Sequence, residues 1–226
     1  RRIEMDKFVM KRKSTDEGGS STKKGKVDEY CFVVAPGASG GDCADLVEVL
    51  SGLGAVEAVK KWRGNFPSQM AANMEVLRDA ARRAAAGHPS ARVVLAGHSF
   101  GCRVACELVA SDDEFRRGLI LESYPLYGPS KPTAATDRVK TLKKLPPGPV
   151  LVVSGAKDPF LARAWLDDDA PRGIDALRGA APSDATVLAI DAASHNVFKV
   201  PKKHDLAVRG QVRRAVQAHL AAAFAE

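Results

Sequence analysis

Cysteine is scarce in this chain, and no two cysteines stand in a CxxC pair. The four present are Cys31, Cys43, Cys102 and Cys106, a set that argues against a zinc knuckle and against a disulfide framework. They read as reduced thiols of an intracellular protein. Aromatic residues are also few, at 6%. The net charge is +7, but a mild, dispersed basic excess without aromatic or base-reading motifs does not make a nucleic-acid binder. No apolar run reaches bilayer-spanning length, so no membrane partner is expected. The opening residues are basic and polar and lack the apolar core of a secretory signal.

What is present suits one α/β domain with a substantial core: 226 residues, 45% hydrophobic and 27% charged. Residues 1–29 stand apart. They hold nine Lys and Arg against six Asp and Glu, and "KRKSTDEGGSSTKKGKVDE" is too polar to bury enough surface to order itself. We read 1–29 as a basic flexible tail and 30–226 as the folded domain. Within the tail, Lys11-Arg12 and Lys23-Lys24-Gly25-Lys26 have the spacing of a bipartite nuclear-import signal, and a solubilising tail accounts for them equally well. The expected location is therefore intracellular, cytoplasmic or nuclear.

From Tyr30 onward, short apolar runs alternate with helical patterns. "YCFVVAP", "AVEAVKKW", "ARVVLAG", "GLILES", "GPVLVVSGA" and "ATVLAID" predict strands. "DCADLVEVLSGLG", with Asp42 as its cap, "PSQMAANMEVLRDAARRAAAG", "FGCRVACELVA", "VKTLKKL", "PFLARAWLDD", "GIDALRGA" and "VRGQVRRAVQAHLAAAFA" predict helices. Such alternation implies parallel strands joined by right-handed crossovers, and unbroken apolar strands imply helices on both faces. A three-layer α/β domain with a mostly parallel sheet follows.

In such a sheet, active groups gather beyond the C-terminal strand ends. Three segments there matter together. The first is Gly97-His98-Ser99-Phe100-Gly101, between a strand and a helix. A serine at that turn is exposed above the sheet, and small residues on either side keep clear of the neighbouring strand and helix. The second is Asp158, just past "VLVVSGAK". The third is His195, in the loop after the last strand. His195 is placed to take the Ser99 proton and Asp158 to fix the imidazole tautomer. The N–H groups of Phe100 and of Ala38, in "APGASGGD", are the candidate oxyanion donors. Each residue has a plainer reading: a turn serine, a cap for the helix after Pro159, a loop histidine. Asp191, the run Asp167-Asp168-Asp169, His88 and His204 are weaker rivals. His98 sits inside the turn, and its side chain is expected to point away from the Ser99 hydroxyl. The glycine loop lacks the Lys-Ser/Thr ending of a phosphate loop, so nucleotide binding is a poor alternative.

The order Ser99, Asp158, His195, with "PGASGGD", "AGHSFGCRVA", "SGAKDPF" and "SHNVF", resembles the α/β-hydrolase superfamily. More closely it resembles the small hydrolase-like family that includes testis-expressed protein thirty. That family also holds the hydrolase-like domain of subunit three of the nonspecific-lethal histone acetyltransferase complex. The resemblance implies an α/β-hydrolase fold with Ser99, Asp158 and His195 as nucleophile, acid and base, and Gly37-Ala38 as the oxyanion loop. Two departures stand out: Pro36-Gly37 replaces the family's His-Gly, and residues 1–29 offer at most one of its two opening antiparallel strands. The expected activity is hydrolysis of an ester, thioester or similar acyl bond of a small-molecule or acylated substrate, with no metal and no organic cofactor. The alternative is a non-catalytic hydrolase-like module that binds a protein partner. Residues 124–147 are short and broken by prolines, which predicts no large lid domain and a pocket lined by Tyr124, Leu126 and Tyr127.

Overall fold

Alternate residues along each central strand bury on opposite sides, and that pattern sets the architecture. In the first strand, β1 (Tyr30–Ala35), Cys31, Val33 and Ala35 enter one apolar cluster while Phe32 and Val34 enter another. A strand that is apolar on both faces is stable only between two layers of helices. The computed structural model describes residues 29–39, 43–64, 67–131 and 137–225. The basic segment at 11–26 and the Asp42 cap lie outside the described residues.

Six strands form one parallel sheet. After β1 come β2 (Ala55–Ala58), β3 (Arg92–His98), β4 (Leu119–Glu122), β5 (Val150–Gly155) and β6 (Thr186–Ile190), in the order β2-β1-β3-β4-β5-β6. The chain reverses its direction of growth between β1 and β3, and this is the topological switch point where α/β sheets open a crevice. One face is covered by α1 (Ala44–Ser51) through Leu46, Val49 and Leu50, and by α6 (Lys202–Ala223) through Val208, Val212, Val216 and Leu220. The other face carries α2 (Met70–Gly87), α3 (Phe100–Ser111), α4 (Arg138–Lys143) and α5 (Gly173–Ala180). No described helix is long and apolar enough to cross a membrane.

The expected elements are present with two differences. The closing helix begins at Lys202, six residues before the expected Val208, directly after Pro201, whose backbone is still extended at the N-cap position (ψ 140°). "PFLARAWLDD" is not a helix. A single 3-10 turn, Pro159–Leu161, gives way to extended backbone at Ala162. Trp165 donates its indole N–H to the Gly128 carbonyl at 3.2 Å, and Tyr127 packs edge-on against it. These tertiary contacts hold the segment open against its apolar spacing. Among the described residues of the β4–β5 connection, the one helix is the six-residue α4, started by Asp137 accepting from the Lys140 N–H at 3.2 Å.

Candidate active site

Ser99 sits between the last residue of β3 and the first of α3, with φ of 52° and ψ of −110°. A β-carbon disfavours that backbone conformation, at a strain of order 1–3 kcal/mol. Neighbouring contacts hold it there. The Ser99 N–H donates to the Glu122 carbonyl at 3.0 Å and the Cys102 N–H to the Ser99 carbonyl at 3.1 Å. The flanking glycines are required sterically. A β-carbon on Gly101 would lie 2.1 Å from the Ala35 carbonyl oxygen, and one on Gly97 2.6 Å from the Cys102 nitrogen.

The other two groups arrive from the ends of β5 and β6. Turn hydrogen bonds stitch their loops together: the Ala156 N–H donates to the Ile190 carbonyl at 3.0 Å and the Lys157 N–H to the Ala193 carbonyl at 3.1 Å. The result is a continuous chain. The Ser99 hydroxyl lies 2.8 Å from His195 Nε2, and His195 Nδ1 lies 2.8 Å from Asp158 Oδ2. With the proton on Nδ1, His195 donates to Asp158 and accepts from Ser99. The Asp158 carboxylate is fully buried. Its second oxygen, Oδ1, accepts from the Phe160 N–H at 2.8 Å, so the aspartate also starts the 3-10 turn. The two Asp158 oxygens thus have different partners, His195 for one and the capped turn for the other. Phe160 packs against the imidazole with centroids 4.5 Å apart.

The loop after β1 is braced by Trp62, whose indole N–H donates to the Pro36 carbonyl at 2.9 Å and whose ring meets Phe100 edge-on. Phe100 opens α3, so its N–H has no acceptor within the helix. Ala38 and Ser99 share the walls of two adjoining hollows. The larger, about 610 Å³, is lined by Gly37, Ser39, His98, His195, Asn196 and Lys199 among others. The smaller, about 170 Å³, extends past Phe100 toward Arg103, Pro125 and Arg138.

The expected pocket residues are elsewhere. Tyr124 is completely buried, because the chain turns at Ser123 (φ 59°) and sends the next side chain inward, where its hydroxyl donates to the Arg138 carbonyl at 2.6 Å. Leu126 is buried, and with Tyr127 it borders a separate hollow of about 220 Å³ beside Trp165. Among the rivals, His88, Asp191, the acidic run 167–169 and His204 are all exposed and take no part.

His98 is expected to point away from the Ser99 hydroxyl, and its Nδ1 faces Glu122. It lines the same hollow as Ser99, and its ring edge lies against Gly37. Its Nδ1 is bonded to Glu122, a buried carboxylate that also accepts from the Ser123 hydroxyl at 2.6 Å and from the Val197 N–H at 3.1 Å. Burial pushes the imidazole pKa down, but the hydrogen bond and charge of Glu122 and the charge of Asp158 outweigh it and leave the value raised. A glutamate ending an apolar parallel strand was the available signal, since a buried strand end has no solvent for an unpartnered charge.

The sheet, the strained serine and the bonded imidazole and carboxylate define the class of α/β-hydrolase-type folds. The family model "Alpha/beta hydrolase domain" matches residues 32–225, and the chain belongs to that family. Solved structures agree on the fold. A monoacylglycerol lipase of Paleococcus ferrophilus superposes with a TM-score of 0.61 at 14% identity, over 85% of this chain and 95% of that one. An alpha-beta serine hydrolase homologue from Coxiella burnetii gives 0.58 at 17%, over 87% and 88%. The esterase domain of a Rhodothermus marinus protein gives 0.55 at 14%, over 85% and 90%. No curated protein matches the chain in sequence.

Proposed function

We propose that this protein is a serine hydrolase that cleaves an ester, thioester or similar acyl bond through an acyl-enzyme on Ser99. One observation carries the reading: a serine in strained backbone geometry, its hydroxyl 2.8 Å from an imidazole that is itself 2.8 Å from a buried carboxylate. His195 Nε2 takes the proton as Ser99 Oγ bonds to the acyl carbon. The carbonyl oxygen becomes an oxyanion facing the N–H groups of Phe100 and Ala38. Collapse of that intermediate breaks the bond to the leaving group, which departs with the proton from His195. Water then repeats the sequence: His195 takes its proton, its oxygen attacks the acyl carbon, and Ser99 regains its hydrogen as the acid leaves. Asp158 stabilises the imidazolium in both halves. Kinship with the group around testis-expressed protein thirty belongs to the same reading, supported by "AGHSFGCRVA", "SGAKDPF" and "SHNVF".

The test is labelling with a fluorophosphonate, followed by turnover of soluble short-chain 4-nitrophenyl esters. Ser99→Ala should abolish labelling, and His195→Ala should nearly do so. Asp158→Asn should lower turnover by about 10²–10⁴-fold through loss of the tautomer and of charge stabilisation. A folded wild-type protein that refuses the probe, or labelling that persists without His195, would return the chain to the non-catalytic binding module.

A further inference from the structure

Two arginines line the smaller hollow beside Ser99, and a third stacks on one of its wall residues. Arg103, one turn into α3, lines the hollow and is only 8% exposed, yet its Nε has no hydrogen-bond partner among the described residues. Its guanidinium rests 5.7 Å from the centroid of Phe100. Arg138, at the start of α4, lines the same hollow and is anchored by the Pro125 and Tyr127 carbonyls, each at 3.3 Å. Arg163 stacks 4.2 Å over Phe160, another wall residue, and its Nε is also buried without a partner among the described residues.

None of the three forms an ion pair with a carboxylate among the described residues. The carboxylate whose charge Arg103 feels, Glu107, is bonded to the Thr141 hydroxyl at 2.7 Å and lies 4.0 Å from Lys144. Burial first, and then the Arg103 charge, lower the Arg138 pKa to about 10. Among the described residues, no acidic residue lines either hollow next to Ser99. A buried, unpaired guanidinium is costly, and a bound anion is what would compensate it. A guanidinium fork matches a carboxylate in two parallel hydrogen bonds.

The side of the serine on which this hollow lies identifies the part of the substrate it receives. A leaving group must collect its proton from His195 Nε2, so it departs through the larger hollow, which His195 lines. The smaller hollow is not lined by His195. It runs from Ser99, Ala38 and Phe100 to the arginines, where the retained acyl chain must extend once its carbonyl oxygen faces the oxyanion donors. Pro125, Phe100 and Phe160 give it apolar walls before the charged end.

Resting on the hydrolase reading above, we infer that the acyl group of the substrate is a short aliphatic chain ending in a carboxylate, bound by Arg103 and Arg138 with Arg163 at the rim. The probes are 4-nitrophenyl hydrogen adipate and its neutral counterpart 4-nitrophenyl methyl adipate. Wild-type protein should favour the acidic ester in kcat/KM by about tenfold or more, the scale of a hydrogen bond to a charged group. Arg103→Met and Arg138→Met should each erase that preference, and Arg103→Lys should restore part of it. In parallel, adipate but not adipamide should raise the melting temperature of wild type, and Arg138→Met should abolish the shift even where Arg103→Met fails to fold. Turnover of both esters without acid preference, or a preference indifferent to both arginines, overturns this inference and leaves the hydrolase standing. An adipate shift lost in Arg138→Met, without turnover of either ester, keeps the anion pocket and removes the hydrolase. Neither turnover nor shift removes both.

Discussion

Glu122 accepts a hydrogen bond from the Val197 N–H across 75 residues of sequence, at 3.1 Å. The acceptor is a buried carboxylate at the tip of β4, and the donor lies two residues beyond His195. The same carboxylate holds His98 on the other side of Ser99. One side chain thus fixes the loop that carries the proposed base and the histidine inside the serine turn. Glu122 is read here as a positioning residue.

Replacing Glu122 with Ala should therefore destabilise the fold by about 3 kcal/mol, because buried donors on Val197, Ser123 and His98 lose their acceptor together. Glu122→Gln, of similar size, should fold better yet lower kcat more than it changes KM, since His195 loses a charged brace for its loop. Urea unfolding and steady-state kinetics on a soluble ester check both. Unchanged kcat in a folded Glu122→Gln would remove the positioning role.

Strain at Ser99 makes a second expectation. Glycine adopts the φ of 52° without a β-carbon clash. Ser99→Gly should unfold at higher denaturant than Ser99→Ala by about 1 kcal/mol, while neither accepts a fluorophosphonate. Equal stability of the two would mean the backbone relaxes and stores no strain.

The close approaches at the turn set a third. Gly101→Val drives a side chain into the Ala35 carbonyl, which belongs to β1, a strand hydrogen-bonded on both sides, and has nowhere to move. We expect no folded protein by circular dichroism and gel filtration. A folded, monodisperse Gly101→Val would show that the turn tolerates a wider separation of α3 from the sheet.

Thiol reactivity supplies a fourth. Cys31, Cys102 and Cys106 are buried, whereas Cys43 is half-buried. Burial, more than any neighbouring charge, pushes the Cys102 and Cys106 thiols up, away from the reactive thiolate. In native protein a disulfide reagent should titrate Cys43 rapidly and the other three only after unfolding in urea. Rapid native reaction in a Cys43→Ser variant would contradict this.

The pair of His98 and Glu122 predicts a pH dependence. The folded pKa of His98 is raised above its ordinary value, so the pair's stabilisation is fully present below about 6.5 and is lost as pH rises through the raised value. His219 is shifted down by burial and acts in the opposite sense, but it is common to wild type and variant and cancels in their difference. The stability of wild type relative to His98→Asn should thus fall as the pH is taken from about 6 to 9 in urea unfolding. A difference that grows with pH would refute the charged pairing.

Local chemistry made much of this legible. The strands are readable because each is apolar on both faces, as Cys31 and Phe32 are on β1. The turn at Ser99 is readable because its requirements, a small residue on either side and a helix immediately after, lie within five positions. The order of Ser99, Asp158 and His195 along the chain already matched the strand ends, and the structure brings those three side chains within hydrogen-bonding reach.

What the sequence by itself determined was thus the set of elements and the positions of the chemical groups at their ends, since both follow from spacing along the backbone. Tertiary structure alone decided which groups meet. His98 turned toward the hollow because Glu122, 24 residues away, offers its carboxylate. Tyr124 went inward because Ser123 adopts a left-handed turn, and "PFLARAWLDD" stayed irregular because Trp165 found a carbonyl on Gly128. Arg103, Arg138 and Arg163 became neighbours only when α3, α4 and the loop after β5 packed together. Such contacts depend on relative placement of elements far apart in the chain, where side-chain burial and the pairing of buried charge choose among arrangements that local spacing leaves equal.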